Sequence, residues 1–121
     1  MNRTATTAAA IAGALAVALG AFGAHALRDQ LEPAALQTWH TAVQYQFWHA
    51  LALLAAVVAP ASRCRTASMA AFIAGIVLFC GSLYALALGA PRFVGALTPF
   101  GGASFIAGWI SLGFAFWRTA K

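Results

Sequence analysis

Few side chains in this sequence could do chemistry, and most of them lie in one stretch. Between Trp39 and His49 fall His40, Thr41, Gln44, Tyr45, Gln46 and Trp48, beside a run made almost wholly of alanine, leucine and valine. Imidazole, carboxamide and phenol groups gathered at one place could relay a proton, line a path for a small solute or, through histidine, hold haem iron. Adding the polar residues of other segments that could reach them, the candidate polar site comprises His25, Gln44, Tyr45, Gln46, His49 and Tyr84. His40 and His49 are nine positions apart, about 13 Å along one helix, so they cannot share one iron; only His25 with either of them could. The only carboxylates, Asp29 and Glu32, directly precede Pro33 in a loop, where they favour the positive end of the next helix rather than acid-base work. Cys64 and Cys80 are 16 positions apart, about 24 Å of helix, beyond the reach of a disulfide. Neither cysteine belongs to a CxxC or metal-ligand pattern. Accordingly no residue is assigned a catalytic role, no metal site is expected, and no cofactor is assigned.

The elements that must position these groups are membrane helices. The chain is 63% hydrophobic and only 7% charged, with a mean hydropathy of +0.83, whereas about a quarter of the residues of soluble domains are charged. At about 20 residues per span, its 121 residues accommodate four helices with short loops. The expected fold class is therefore all-α: an integral membrane four-helix bundle of two antiparallel hairpins, forming a single transmembrane domain over residues 1–121. A net charge of +5 could suggest nucleic acid, but the basic residues stand singly or as Arg63 and Arg65, always beside an apolar segment. That placement points to the lipid bilayer as partner, not to nucleic acid.

In chain order, the helices are expected over about 5–26, 34–59, 66–89 and 99–117. The first follows a threonine-rich start; Arg3, the apolar run and Ala24-His25-Ala26 also resemble a secretory signal. Its length and the small-residue spacing Ala12, Ala16, Gly20 and Ala24 instead favour a retained, packing helix. Pro33 suits the first turn of the second helix, and Ala59-Pro60 its end. A basic turn, Ser62 to Arg65, leads to the third, where Gly81 and Ser82 offer close-packing positions. Phe93 to Leu97 reads as an apolar loop dipping into the interface, and Thr98-Pro99 as cap and first residue of the fourth helix. There Ala103, Ala107, Ser111 and Ala115 repeat the small-residue spacing, with Gly108 alongside. Arg3, Arg63, Arg65, Arg118 and Lys121 fall on one side of the membrane, Arg28 and Arg92 on the other, which places both termini in the cytoplasm.

Four ordered blocks resemble one known family: Gly20-Ala21-Phe22-Gly23-Ala24-His25; Trp39 with Thr41-Ala42-Val43, Tyr45-Gln46 and His49-Ala50; Phe79-Cys80-Gly81-Ser82-Leu83-Tyr84; and Thr98-Pro99 with Gly101-Gly102, Phe105 and Gly108-Trp109. The resemblance is to domain of unknown function 423, which includes bacterial inner-membrane proteins and the eukaryotic transmembrane protein 256. Cys80 stands where the family pattern has serine, which weakens a hydroxyl role there. The resemblance implies a four-helix protein of the cell inner membrane and no particular activity.

Three function classes remain open to this sequence. With no Ser-His-Asp set, carboxylate pair or phosphate loop, the first is a non-enzymatic accessory or structural membrane component. The second is an oligomeric channel or transporter of a small solute or proton, lined by His25, Gln46, His49 and Tyr84. A haem-binding redox protein is the third. Self-association, or docking to other membrane proteins, is expected through Ala12, Ala16 and Gly20 or through Ala103, Ala107 and Ser111. His49, near mid-membrane depth, is expected to face protein, to be neutral, and to hydrogen-bond Tyr84 in preference to His25.

Overall fold

The computed structural model describes residues 2–119. Lys121, counted above with the basic residues of one side, lies outside them. Four helices carry the architecture: α1 (Arg3–His25), α2 (Pro33–Val58), α3 (Arg63–Ala87) and α4 (Leu97–Trp117). The sequence punctuates them locally. Asn2 caps α1, its Oδ1 accepting the Ala5 N–H at 2.9 Å, and Ser62 caps α3 through the Arg65 N–H at 3.1 Å. That serine cap is why α3 begins at Arg63 rather than near residue 66. Pro33 opens α2, and Ala59 is held extended (ψ 155°) ahead of Pro60, which stops it. The end of α3 is a Schellman turn: the Gly89 N–H donates to Leu86 O and the Ala90 N–H to Ala85 O. Gly89 takes φ +101°, a conformation that costs glycine little.

Two expectations about the last connection are corrected. Phe93 to Leu97 is not an irregular loop, because Arg92–Ala96 winds as a 3-10 helix that runs straight into α4. Thr98 is not the cap, since it lies inside α4, whose first turn has no side-chain cap. Its hydroxyl instead meets Ser82 Oγ at 2.6 Å, tying the start of α4 to α3. Midway along α3, Ile76–Cys80 forms a π turn, one residue wider than the helix around it.

Side-chain bonds across the helices define the topology. Trp39 Nε1 donates to Leu19 O at 2.9 Å and Gln46 Nε2 to Ala12 O at 2.8 Å, a rising and a falling number that make α1 and α2 antiparallel. Ser68 Oγ donates to Gly108 O and Ser104 Oγ to Ala71 O, a reciprocal clasp that makes α3 and α4 antiparallel. Helices α2 and α3 form the central pair, with α1 packed on α2 and α4 packed on α3. Two grooves remain, one between α1 and α3 and one between α2 and α4.

Small residues make these contacts, though not all of those expected. Ala12 and Ala16 are buried with Ala5 and Ala9 against α2, and Gly20 faces Val43. The α1 ridge is thus used within the monomer. On α4 the buried stripe is Gly101, Phe105, Gly108, Leu112 and Ala115, while Ala103 and Ala107 face outward. A strict four-residue spacing drifts about 40° around the helix per step, whereas the observed stripe alternates steps of four and three. Gly81 is exposed with open space around it and is not a packing position; Ser82 beside it is buried. The tightest approaches are at Gly101, where a Cβ would meet the Phe79 backbone, and at Gly75, where it would meet the Phe105 ring; at Gly23 it would lie 2.6 Å from the Trp39 indole and at Gly108 2.7 Å from the Phe72 ring.

These approaches predict opposite outcomes for two Gly→Ala changes. Gly101→Ala forces backbone against backbone and should destabilise the bundle by about 1 to 3 kcal/mol. Gly81→Ala meets nothing and should be neutral or slightly stabilising. Thermal or denaturant unfolding in detergent micelles measures both, and equal effects would refute the packing described.

Candidate functional site

The polar residues of α2 sit where that helix is covered by others. Gln46 and His49 are both buried, Tyr45 is half-buried, and Gln44 points outward. Gln46 joins three helices at once. Its Nε2 donates to Ala12 O on α1, and its Oε1 accepts from the Tyr84 hydroxyl on α3 at 2.7 Å. A main-chain carbonyl can only accept, so the amide orientation is determined by chemistry. Tyr84 also packs edge-on against Trp39, with ring centroids 4.7 Å apart, so α1, α2 and α3 meet at one polar and aromatic knot.

His49 turns to the other side of α2, toward α4. Its Nδ1 lies 2.7 Å from Tyr45 O, and its Nε2 lies 3.1 Å from Trp109 Nε1. An indole N–H only donates, so Nε2 must be the acceptor and Nδ1 must carry the proton, shared with the Tyr45 carbonyl. Both nitrogens are satisfied by the neutral ring, as expected of a histidine in the bilayer interior. The ring also stacks on Phe105 with centroids 3.5 Å apart and planes 12° from parallel.

The expected His49–Tyr84 bond does not form, because Tyr84 belongs to Gln46 and the partner of His49 is Trp109. His25 is exposed at the end of α1 and does not reach His49. Because Ala12 pairs with Gln46, His49 lies near the level of Ala9, about 24 Å of helix from His25. Those two histidines therefore cannot share an iron. The structure thus brings Tyr45, Gln46, His49 and Tyr84 into the covered region and leaves His25 and Gln44 outside it. Sequence reasoning missed Trp109, Ser68 and Ser104 as hydrogen-bonding residues. Trp109 carried a usable signal: an indole N–H mid-helix in an apolar segment must find an acceptor on another helix. Among the described residues, no buried side-chain nitrogen or oxygen lacks a partner, and no three His, Cys, Asp or Glu side chains cluster as metal ligands would.

Comparison with known proteins gives a consistent picture. A family described as protein of unknown function (DUF423) matches residues 19–102. The chain is similar to UPF0382 membrane protein YwdK of Bacillus subtilis, 47% identical over 108 residues, covering 85% of this chain and 87% of that protein. It is 42% identical over 115 residues to a UPF0382 membrane protein of Haemophilus influenzae, covering 93% of each. With UPF0382 inner membrane protein YgdD of Escherichia coli it shares 45% identity over 104 residues, 84% of this chain and 79% of that one. No solved structure matches.

The two hydrogen-bonded knots predict measurable couplings. A double-mutant cycle of Gln46→Leu and Tyr84→Phe should give a coupling between about 0.6 kcal/mol, the average for polar pairs between membrane helices, and about 1.7 kcal/mol, the largest value for such pairs. His49→Gln retains an acceptor for Trp109 and should be tolerated, while His49→Leu should cost about 1 kcal/mol. Reversible unfolding in mixed micelles measures these, and a coupling indistinguishable from zero would remove the Gln46–Tyr84 bond from the account.

Proposed function

The chain belongs to the DUF423 family and is a multi-pass protein of the cell inner membrane, and from that premise we propose that it is a non-enzymatic accessory component of that membrane, with both termini cytoplasmic. The observation that carries this reading is the closure of the interior. Gln46, His49, Ser68 and Ser82, the buried polar side chains, all bond to partners within the bundle. A transport path or catalytic centre needs polar groups held open for a substrate, whereas polar groups that saturate one another act as glue between helices. The outer faces are apolar, and their large side chains, Trp117 and Phe114 among them, are exposed. They provide surface for lipid and for other membrane proteins. Orientation is supported by Arg3, Arg63, Arg65 and Arg118 flanking one end of the bundle and Arg28 and Arg92 the other.

Reporter fusions or thiol labelling of single cysteines at Thr4 and Thr119 should place both ends on the cytoplasmic side; periplasmic labelling of either would invert or break the topology. Reconstituted in vesicles, the full chain should conduct neither protons nor small polar solutes above the protein-free background. A flux abolished by both Gln46→Leu and His49→Leu, with the fold intact, would overturn the accessory role in favour of transport.

A further inference from the structure

The groove between α2 and α4 has a volume of about 760 Å³ and opens sideways, along the outer face of the bundle. Exposed Trp48, Leu51 and Ile106 form its rim, and Phe79, Phe105 and His49 its floor. Its depth restricts what can enter. His49 lies nine residues before the end of α2 at Val58, and Trp109 eight before the end of α4 at Trp117, so both are about 12 to 14 Å along the helix from its end, well within a span that crosses a core about 30 Å thick. Phospholipid headgroups do not reach that depth. A ligand arriving there must be dissolved in hydrocarbon, and only one carrying a small polar group gains anything from the groove's donor and acceptor.

We propose that this groove binds the ring of an isoprenoid quinol, with a hydroxyl seated between His49 and Trp109. The hydroxyl donates to His49 Nε2 and accepts from Trp109 Nε1, replacing the 3.1 Å bond those atoms make with each other. Trp109 is about half exposed and can swing aside, while His49 is held by the Tyr45 carbonyl and by its stack on Phe105. A planar ring is favoured by the walls. Tyr45 and Phe79 lie 4.6 Å apart by centroid, Tyr45 and Trp48 5.1 Å, and Phe79 and Phe105 5.4 Å, an aromatic lining suited to stacking. The π turn contributes directly: an added residue in the turn rotates the remainder of the helix by about 100°, and Phe79 lies within that turn on the groove floor. Such turns recur at functional sites. The polyisoprenoid tail then leaves past Ile106 into the lipid. This binding involves no turnover and does not depend on the accessory role proposed above.

The test uses the full chain in nanodiscs of synthetic phosphatidylcholine free of quinone, titrated with a short-chain alkyl benzoquinol kept reduced and, separately, with its quinone. Saturable binding of one quinol per chain is expected. The quinone should bind about tenfold more weakly, because it cannot donate to His49 Nε2. His49→Leu and Trp109→Phe should each weaken quinol binding about tenfold or more. Because both also remove the bond that holds α2 to α4, Ile106→Trp serves as the further variant: it fills the mouth from an exposed position, and should abolish binding without changing the melting temperature. Three results overturn the proposal: non-saturable partitioning equal to empty nanodiscs; equal affinity for quinol and quinone that ignores all three variants; or a stable dimer cross-linked through Trp109 positions that excludes the quinol, which would make the groove a seat for a second copy.

Discussion

A polar group placed in hydrocarbon has no water to fall back on, and the arrangement of this protein depends on where Gln46 and His49 must find their partners. Gln46 needs an acceptor and a donor, and finds them on two helices, Ala12 O on α1 and Tyr84 on α3. His49 needs a donor, and finds it on α4 at Trp109. One helix, α2, thereby bonds to all three others. An unmet requirement at either residue would cost several kcal/mol in lipid, far more than the roughly 1 kcal/mol that each bond contributes when made. This asymmetry makes such residues better at specifying one packing than at stabilising it.

Side chains can bond to a neighbouring helix's carbonyls only if the backbones come close, and that explains the placement of glycine and alanine. Ser68 reaches Gly108 O, and Ser104 reaches Ala71 O, across an interface where Gly108 admits the Phe72 ring and Gly75 admits that of Phe105. On the other hairpin, Gly23 receives Trp39, whose indole bonds Leu19 O. Each large aromatic thus enters the gap left by a missing side chain on the facing helix. With no hydrophobic gain from hiding apolar surface in lipid, this fit and the bonds it permits are what hold the helices together.

The same economy leaves two lateral grooves. Because α1 packs mainly on α2 and α4 mainly on α3, a gap stays open between α1 and α3, and α2 meets α4 only locally, through His49 against Phe105 and Trp109. They differ in character. The α1–α3 groove is aliphatic around Ile11, Leu15 and Ile76, with the Gln46–Tyr84 bond at its base. That between α2 and α4 is aromatic, and its base is a histidine whose acceptor nitrogen is covered only by a half-exposed indole.

Membrane class, helix number and antiparallel order were legible in the sequence, because they depend on local quantities: runs of apolar residues long enough to span, prolines at Pro33 and Pro60, and basic residues at alternate connections. That His49 faces protein rather than lipid was legible too, from its place well inside the helix that ends at Pro60. Which face of each helix meets which neighbour was not. In an apolar helix, lipid-facing and protein-facing positions carry similar residues, so amphipathic periodicity is weak, and the small-residue spacing of Ala103 and Ala107 pointed to a face that tertiary packing leaves outside. Tertiary structure alone decided that Tyr84 bonds Gln46, that Trp109 bonds His49, and that His25 and Gln44 stand apart. Hydrogen-bond pairing among distant residues depends on the relative rotation of whole helices, and a π turn such as Ile76–Cys80 changes that rotation without a distinctive residue to announce it.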